Sequence, residues 1–183
     1  MLAQHLGARR FETEALVFNA ELHRLAGRRA EALANAEEAV KISRETSVAF
    51  LGPFALGALA LASDDPSARQ AALEEAEELL HAGAVSHNHL LFPRDAIEVY
   101  LEAGNWDRVE RSAAELEQYT RSEPLPFADF YIARGRALAA SGRRQSDMTE
   151  FAAELERLRY EGDRLGLRVA LPGINTAINQ LRW

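Results

Sequence analysis

The stretch from Val85 to Glu110, VSHNHLLFPRDAIEVYLEAGNWDRVE, constrains the fold more than any other part of the chain. It opens on a polar entry with two histidines, then carries Ala96, Ile97, Tyr100 and Leu101 at steps of three and four. A Gly104-Asn105 turn follows with Trp106 beside it, and then Val109, Ala113, Leu116 and Tyr119 at the same steps. That spacing puts each apolar set on one face of a helix. Glycine at the junction tolerates the left-handed conformation in which a helix ends. The stretch therefore predicts two helices joined by a tight turn, a unit from which the rest of the chain reads as copied.

The first copy predicts a helix over about 9–26. Its Phe11, Ala15, Phe18, Leu22 and Leu25 form one apolar stripe, and Gly27 ends it. A second helix over about 29–46 places Ala32, Leu33, Ala36, Ala39, Val40 and Ser43 on one face, small enough for close approach of a neighbour. The second copy has a helix over about 49–62, with Gly52-Pro53 near its start. Asp64 or Asp65 then serves as N-cap with Pro66 in the first helical position. The next helix runs through Ala68, Ala72, Leu73, Ala76, Leu79 and Leu80 to Gly83. The third copy is the opening stretch, with Ser86 or Asn88 as N-cap, stopped by the two prolines of RSEPLP. The fourth runs from Phe127 to Ala140, turns at Ser141-Gly142 and continues to about Leu165. Ile132, Gly135 and Leu138 form one inner face there, and Phe151, Leu155 and Leu158 the other. A last helix after Leu171-Pro172 caps the final hairpin. One domain over 1–183 is expected, with units at about 9–47, 48–84, 86–122 and 126–166 and a cap at 172–182.

The turn glycines supply a period. Gly104 and Gly142 are 38 residues apart, and Gly27 and Gly104 are 77 apart, about two such periods. Helical hairpins at fixed spacing are the mark of a solenoid, and tetratricopeptide repeats have a period of about 34. Gly27, Ala32, Ala36 and Ala39 resemble that family's glycine turn and small-residue ladder, as do Tyr100, Gly104, Trp106, Val109 and Ala113. The fourth unit keeps Gly135, Leu138 and Gly142, with Asp147 where a small residue is expected; the second lacks the turn glycine. The fold class is therefore all-α, a right-handed α-solenoid of about four tetratricopeptide-like hairpins with a C-terminal capping helix.

Longer stretches carry a second resemblance. RRFETEALVFNAEL, AFLGPFALGALAL and the run from VSHNHLLFPRDAIEVYLEAGNW through PLPFADFYIARGRALAASGR resemble the C-terminal repeat region of bacterial multidomain adenylate/guanylate cyclase-like proteins. The resemblance covers about Arg9 to Arg143. Those proteins place a class III cyclase domain and an ATPase domain ahead of such repeats. The resemblance implies a regulatory or partner-binding segment of a signalling protein. Pro93 departs from the aromatic expected there, and is expected to shorten or kink the helix start.

Composition and motifs narrow the function. Lys and Arg number 21 against 28 Asp and Glu, a net charge of −7, which argues against general nucleic-acid binding. No cysteine is present, so disulfides and thiolate chemistry are excluded and a cytoplasmic setting is expected. The opening MLAQHLGARRFETE lacks the apolar core of a signal peptide, and the apolar run 48–62 is too short for a bilayer. No Walker loop, nucleophile elbow or paired metal-binding aspartates occur, so no enzyme activity and no cofactor are expected.

Candidate sites follow from the repeat. In tetratricopeptide arrays the first helix of each hairpin lines a concave groove. That mapping places Glu14, Val17, Glu21 and Arg24 of the first unit, Arg94 and Glu98 of the third, and Asp129, Ile132 and Arg136 of the fourth toward a partner. Charges of both signs suit a protein or peptide partner, or an acidic ligand terminus; alternatively they are a solvated face or internal salt bridges. A small-ligand pocket near Phe54, Phe92 and Tyr131 and a self-association surface giving a homo-oligomer are the other readings. His81, His87 and His89, with Asp95 nearby, contain no His-x-x-x-His pair, so capping and turn contacts are expected of them and no metal site. Trp106 is expected to pack at the turn; Phe127 and Phe130 to pack in the core; and Trp183 to contact the cap or fray.

Overall fold

The computed structural model describes residues 9–85, 87–143 and 148–181. Among them the chain is all-α, with nine helices packed sequentially in adjacent pairs, as a helical-hairpin array requires. These are α1 (Arg9–Leu25), α2 (Arg29–Thr46), α3 (Val48–Ala62), α4 (Pro66–His81), α5 (Asn88–Glu102), α6 (Trp106–Thr120), α7 (Pro126–Gly142), α8 (Met148–Arg164) and α9 (Leu171–Gln180). A short 3-10 turn, Arg168–Ala170, precedes α9. Internal contacts divide the chain into two compact units, Met1–Val99 and Tyr100–Trp183, with the division inside α5.

Local chemistry sets the ends. Gly27 and Gly104 take positive φ after α1 and α5, where the backbone turns left-handed. Asp65 Oδ1 accepts the Ser67 N–H at 2.9 Å ahead of α4, with Pro66 first in the helix. Asn105 Oδ1 accepts from the Arg108 N–H ahead of α6. Ser86, Asp147 and Trp183 lie outside the described residues.

In the first unit α1 packs on α2 and α3, and α3 on α4. Ala32, Ala36 and Ala39 of α2 are fully buried, which lets neighbouring backbones come close. Every residue of α3 from Leu51 to Ala58 is buried, the pattern of a helix apolar all round. The stripe on α1 meets a different fate. Its buried face is Thr13, Leu16, Val17 and Ala20, whereas Phe11, Phe18, Leu22 and Leu25 are exposed, Phe11 by 67% and Leu22 by 61%. The helix has two apolar faces, and α2 and α3 cover the one with smaller side chains. The Phe18 ring also stands edge-on to Phe54, with centroids 5.8 Å apart.

Pro53 lies within α3 and has no N–H for the Ala49 carbonyl four residues back. The chain entering α5 supplies the missing donor. The Val85 N–H reaches the Ala49 oxygen at 2.9 Å and Asn88 Nδ2 reaches it at 3.4 Å. Asn88 Nδ2 also donates to the Phe50 carbonyl at 3.0 Å, while its Oδ1 accepts the Phe54 N–H at 3.2 Å. Asn88, fully buried, thus fastens the start of α5 to the proline-interrupted turn of α3. Pro93 does not shorten α5, which begins at Asn88, five residues ahead of it.

In the second unit Phe130 and Tyr131 of α7, Phe151, Leu155 and Leu158 of α8 and Ile174 and Ile178 of α9 form one core. The helix α9 packs on α8 and α7 near the expected cap position. Buried Arg134 of α7 donates from Nε to the Ala170 carbonyl at 2.7 Å, tying down the turn before α9. Gly142 is the last residue of α7, so the helix ends two residues later than expected and the turn begins at Arg143. The Trp106 ring lies against Gly142 so closely that a Cβ there would stand 2.7 Å from Cη2.

Candidate functional site

Four of the nine predicted groove residues meet in one cleft of the first unit. Val17, Glu21 and Arg24 come from α1 and Arg94 from α5; Ala58, Leu61 and Ala62 of α3 supply an apolar wall. The cleft holds about 10 Å³ of free volume, room for about one water molecule. Asp95, next to Arg94, lines it as well. Glu14 and Glu98 lie outside this lining.

The electrostatics centre on Asp95, which is 1% exposed. Arg94 grips one of its oxygens: Nε donates to Oδ1 at 2.7 Å, and Nη2 stands 2.5 Å from it. Arg94 Nη1 lies 3.9 Å from Glu21 Oε1. Among the described residues the second oxygen, Asp95 Oδ2, has no hydrogen-bond partner, and neither has the buried Nε of Arg24. Burial pushes the Asp95 carboxyl up to about 6, against the opposing pull of the Arg94 guanidinium. The carboxylate can lie flat on α3 because position 57 is glycine; a Cβ there would come within 2.9 Å of Oδ2.

The three predicted residues of the fourth hairpin meet elsewhere, in an open trough of the second unit. Asp129, Ile132 and Arg136 of α7 line it with Glu117 of α6 and Glu154 of α8, around a volume of about 550 Å³. Arg136 is committed within the chain. Its Nη1 and Nη2 donate to the two oxygens of Glu117 at 3.0 Å each, and its Nε donates to Glu110 at 2.9 Å. That pairing holds the Glu117 carboxyl below its ordinary range and raises the Arg136 guanidinium. Glu154 is likewise lowered, by hydrogen bonds from Arg157.

The remaining candidates are structural. His81 and His89 contact the backbone carbonyls of Glu77 and Ala84 at 2.7 and 3.2 Å, and His87 meets the Phe50 ring edge-on. Among the described residues no group of three or more His, Asp or Glu is placed to hold a metal ion, and no helix is long and apolar enough to cross a membrane. Phe54, Phe92 and Tyr131 are core side chains that line neither cleft. Phe130 is buried in the core of the second unit, with Phe127 packed against it.

Asp95 and Arg134 are the residues that groove mapping passed over. Both carry a readable signal. The helical neighbours of Asp95 are Leu91, Phe92 and Val99 with one charge, Glu98, and those of Arg134 are Phe130, Tyr131, Ala137 and Leu138. A charge whose positions three and four away are mostly apolar, as at Asp95, or wholly so, as at Arg134, sits on the buried face of its helix. Comparison of the chain with protein-family models, with curated proteins and with solved structures gave no match.

Proposed function

We propose that this chain is a non-catalytic scaffold that binds a protein or peptide partner. In this reading its hairpins stack as a right-handed tetratricopeptide-like solenoid, resembling the repeat region of cyclase-linked signalling proteins in the cytoplasm. The observation that supports it is the cleft between α1, α3 and α5. Residues drawn from helices far apart in sequence bring two guanidiniums and two carboxylates to an apolar wall, and two of the buried polar atoms there have no partner among the described residues. Such atoms cost about 1–3 kcal/mol each when left unpaired, which a bound partner's polar group offsets.

The test is affinity capture from a cell extract with the wild type and with Arg24→Glu. Arg24 is the better position than Arg94, which holds the buried Asp95. Partners retained by the wild type and lost from the variant support the reading. An identical set on both sinks recognition at this cleft, and no partner on either sinks the scaffold.

The second reading, self-association, rests on the exposed stripe of α1. It predicts a mass by light scattering that rises with concentration, and that stays monomeric when Phe11 and Leu22 are both replaced by Lys.

A further inference from the structure

We propose that the exposed face of α1 docks an amphipathic helix of a partner protein, one with an apolar seam of the same spacing and Lys or Arg along its flank. This rests on the reading of the chain as a partner-binding scaffold, and seats the partner on a face of α1 other than the cleft.

The stripe on α1 is patterned more strictly than burial in a bundle needs. Phe11, Ala15, Phe18, Leu22 and Leu25 follow one another at steps of four, three, four and three. That is the spacing of a coiled-coil seam, narrower than the broad apolar face of a helix packed in a bundle. The bundle face of α1 is separate: Thr13, Leu16, Val17 and Ala20 lie on the opposite side and are buried. Phe11, Phe18, Leu22 and Leu25 are all exposed, with Ala15 half-buried among them. At 1.5 Å per residue the seam is about 21 Å long, which a partner helix of about 15 residues covers. A helix laid along it presents side chains at the same steps, so they enter as knobs into holes. Ala15, the one small member, leaves room between its large neighbours for a bulky side chain of the partner.

The charges choose the occupant. One flank of the seam carries Glu14 and Glu21, both partly exposed, and the other carries Asn19 and Ala26. Arg10, on the glutamate side, is held over the Phe50 ring, 5.2 Å from its centroid, and the Glu21–Arg94 pair is long, at 3.9 Å. A second copy of the chain fits this face poorly. Laid antiparallel, with Ala15 opposite Phe18 of the other copy, it brings Glu14 of each copy against Glu21 of the other. Laid parallel and in register, it sets alanine on alanine between phenylalanine layers and leaves a void. Each copy also carries a net charge of −7. A helix with Lys or Arg on the flank that meets Glu14 and Glu21 replaces that repulsion with ion pairs. Self-association through the stripe is therefore the competing outcome.

The probe is a synthetic peptide of three heptads with Leu at its seam positions and Lys on its flanks, capped at both ends and labelled with fluorescein. One control of the same length has Glu on the flanks; the other keeps the composition of the Lys peptide but permutes its seam. Binding to the intact chain is followed by fluorescence anisotropy at about 50 and about 300 mM sodium chloride. The Lys peptide should bind at least about tenfold more tightly than either control, and should weaken at the higher salt. Replacing Phe11 and Leu22 together by Gln removes the seam and leaves the flanking charges. Binding should fall at least about tenfold, with little change in urea unfolding because both side chains are exposed. Glu14→Lys should cut the preference for the Lys peptide over the Glu peptide at least about threefold. Full binding of the permuted peptide, binding that survives the loss of Phe11 and Leu22, or no binding of the Lys peptide overturns the proposal. So does a mass that rises with concentration in the wild type and not in the Phe11/Leu22 variant, which gives the seam to a second copy. If captured partners depend on Arg24 while the Lys peptide fails to bind, the scaffold reading stands and the docked helix falls.

Discussion

Replacing Asp95 by Asn changes how the stability of the chain responds to pH, and the size of the change can be worked from the folded structure. The carboxyl stands at about 6 when folded and at 3.8 in its reference state. That gap corresponds to roughly 3 kcal/mol. The sign follows from the direction: the folded state binds the proton more readily than the unfolded one. Stability from this group is fully present below about 3.8 and is lost as pH rises through about 6. Roughly half of that is gained between pH 8 and pH 5, and the remainder below pH 5. The assay is urea unfolding of the wild type and of Asp95→Asn at several pH values between 5 and 8. Subtracting the two curves cancels titrations the proteins share, including those of Glu117 and Glu154, which are held below the ordinary carboxylate range. The wild type should gain on the order of 1 kcal/mol relative to the variant on going from pH 8 to pH 5. A difference that stays level across that range would falsify the claim that burial dominates at Asp95.

Other substitutions test the remaining tethers. Arg134→Met keeps the buried aliphatic stem but loses the Nε hydrogen bond to the Ala170 carbonyl, so urea unfolding should report a loss of about 2–3 kcal/mol. Gly142→Val drives a branched side chain into the Trp106 ring; about 1–3 kcal/mol of destabilisation and a shift in tryptophan emission are expected, and an unchanged emission would contradict the contact. Asn88→Ala removes the side-chain partner of the buried Phe54 N–H and Phe50 carbonyl, for a loss of about 2–3 kcal/mol in thermal or urea unfolding.

Much of this architecture was legible because helix signals are local. Asp65-Pro66, Gly27 and Gly104 act through their own backbone conformation, and the structure ends and starts helices at them. The apolar spacing of Leu155 and Leu158, or of Val109, Ala113 and Leu116, likewise has only one face to offer, and that face is buried. The stripe on α1 shows where spacing stops being informative. Two apolar faces satisfy the same periodicity, and only the arrangement of α2 and α3 decides which is covered. Gly142 shows a different limit: a glycine near a helix end reads as a turn, whereas here it makes room for an aromatic ring from another helix. At the cleft, mapping from the repeat found Val17, Glu21, Arg24 and Arg94. It passed over Asp95, whose importance comes from its burial and from its contact with Gly57, 38 positions earlier. The same mapping grouped Arg136 with the binding residues, although its two glutamate partners already occupy it.

Pro53 and Asn88 carry a consequence for how this sequence can change over time. A proline within a buried helix is ordinarily a loss, since one carbonyl goes without its donor. Here the donors come from 32 and 35 positions downstream, at Val85 and Asn88. The two sites are therefore not independently mutable. The Val85 N–H meets the carbonyl that Pro53 leaves open, whatever side chain stands there, while Asn88 adds a longer bond to it and serves the Phe50 carbonyl and the Phe54 N–H beside it. An N–H restored at 53 would compete with Val85 for the Ala49 carbonyl, so a change at either position is felt at the junction of the two helices.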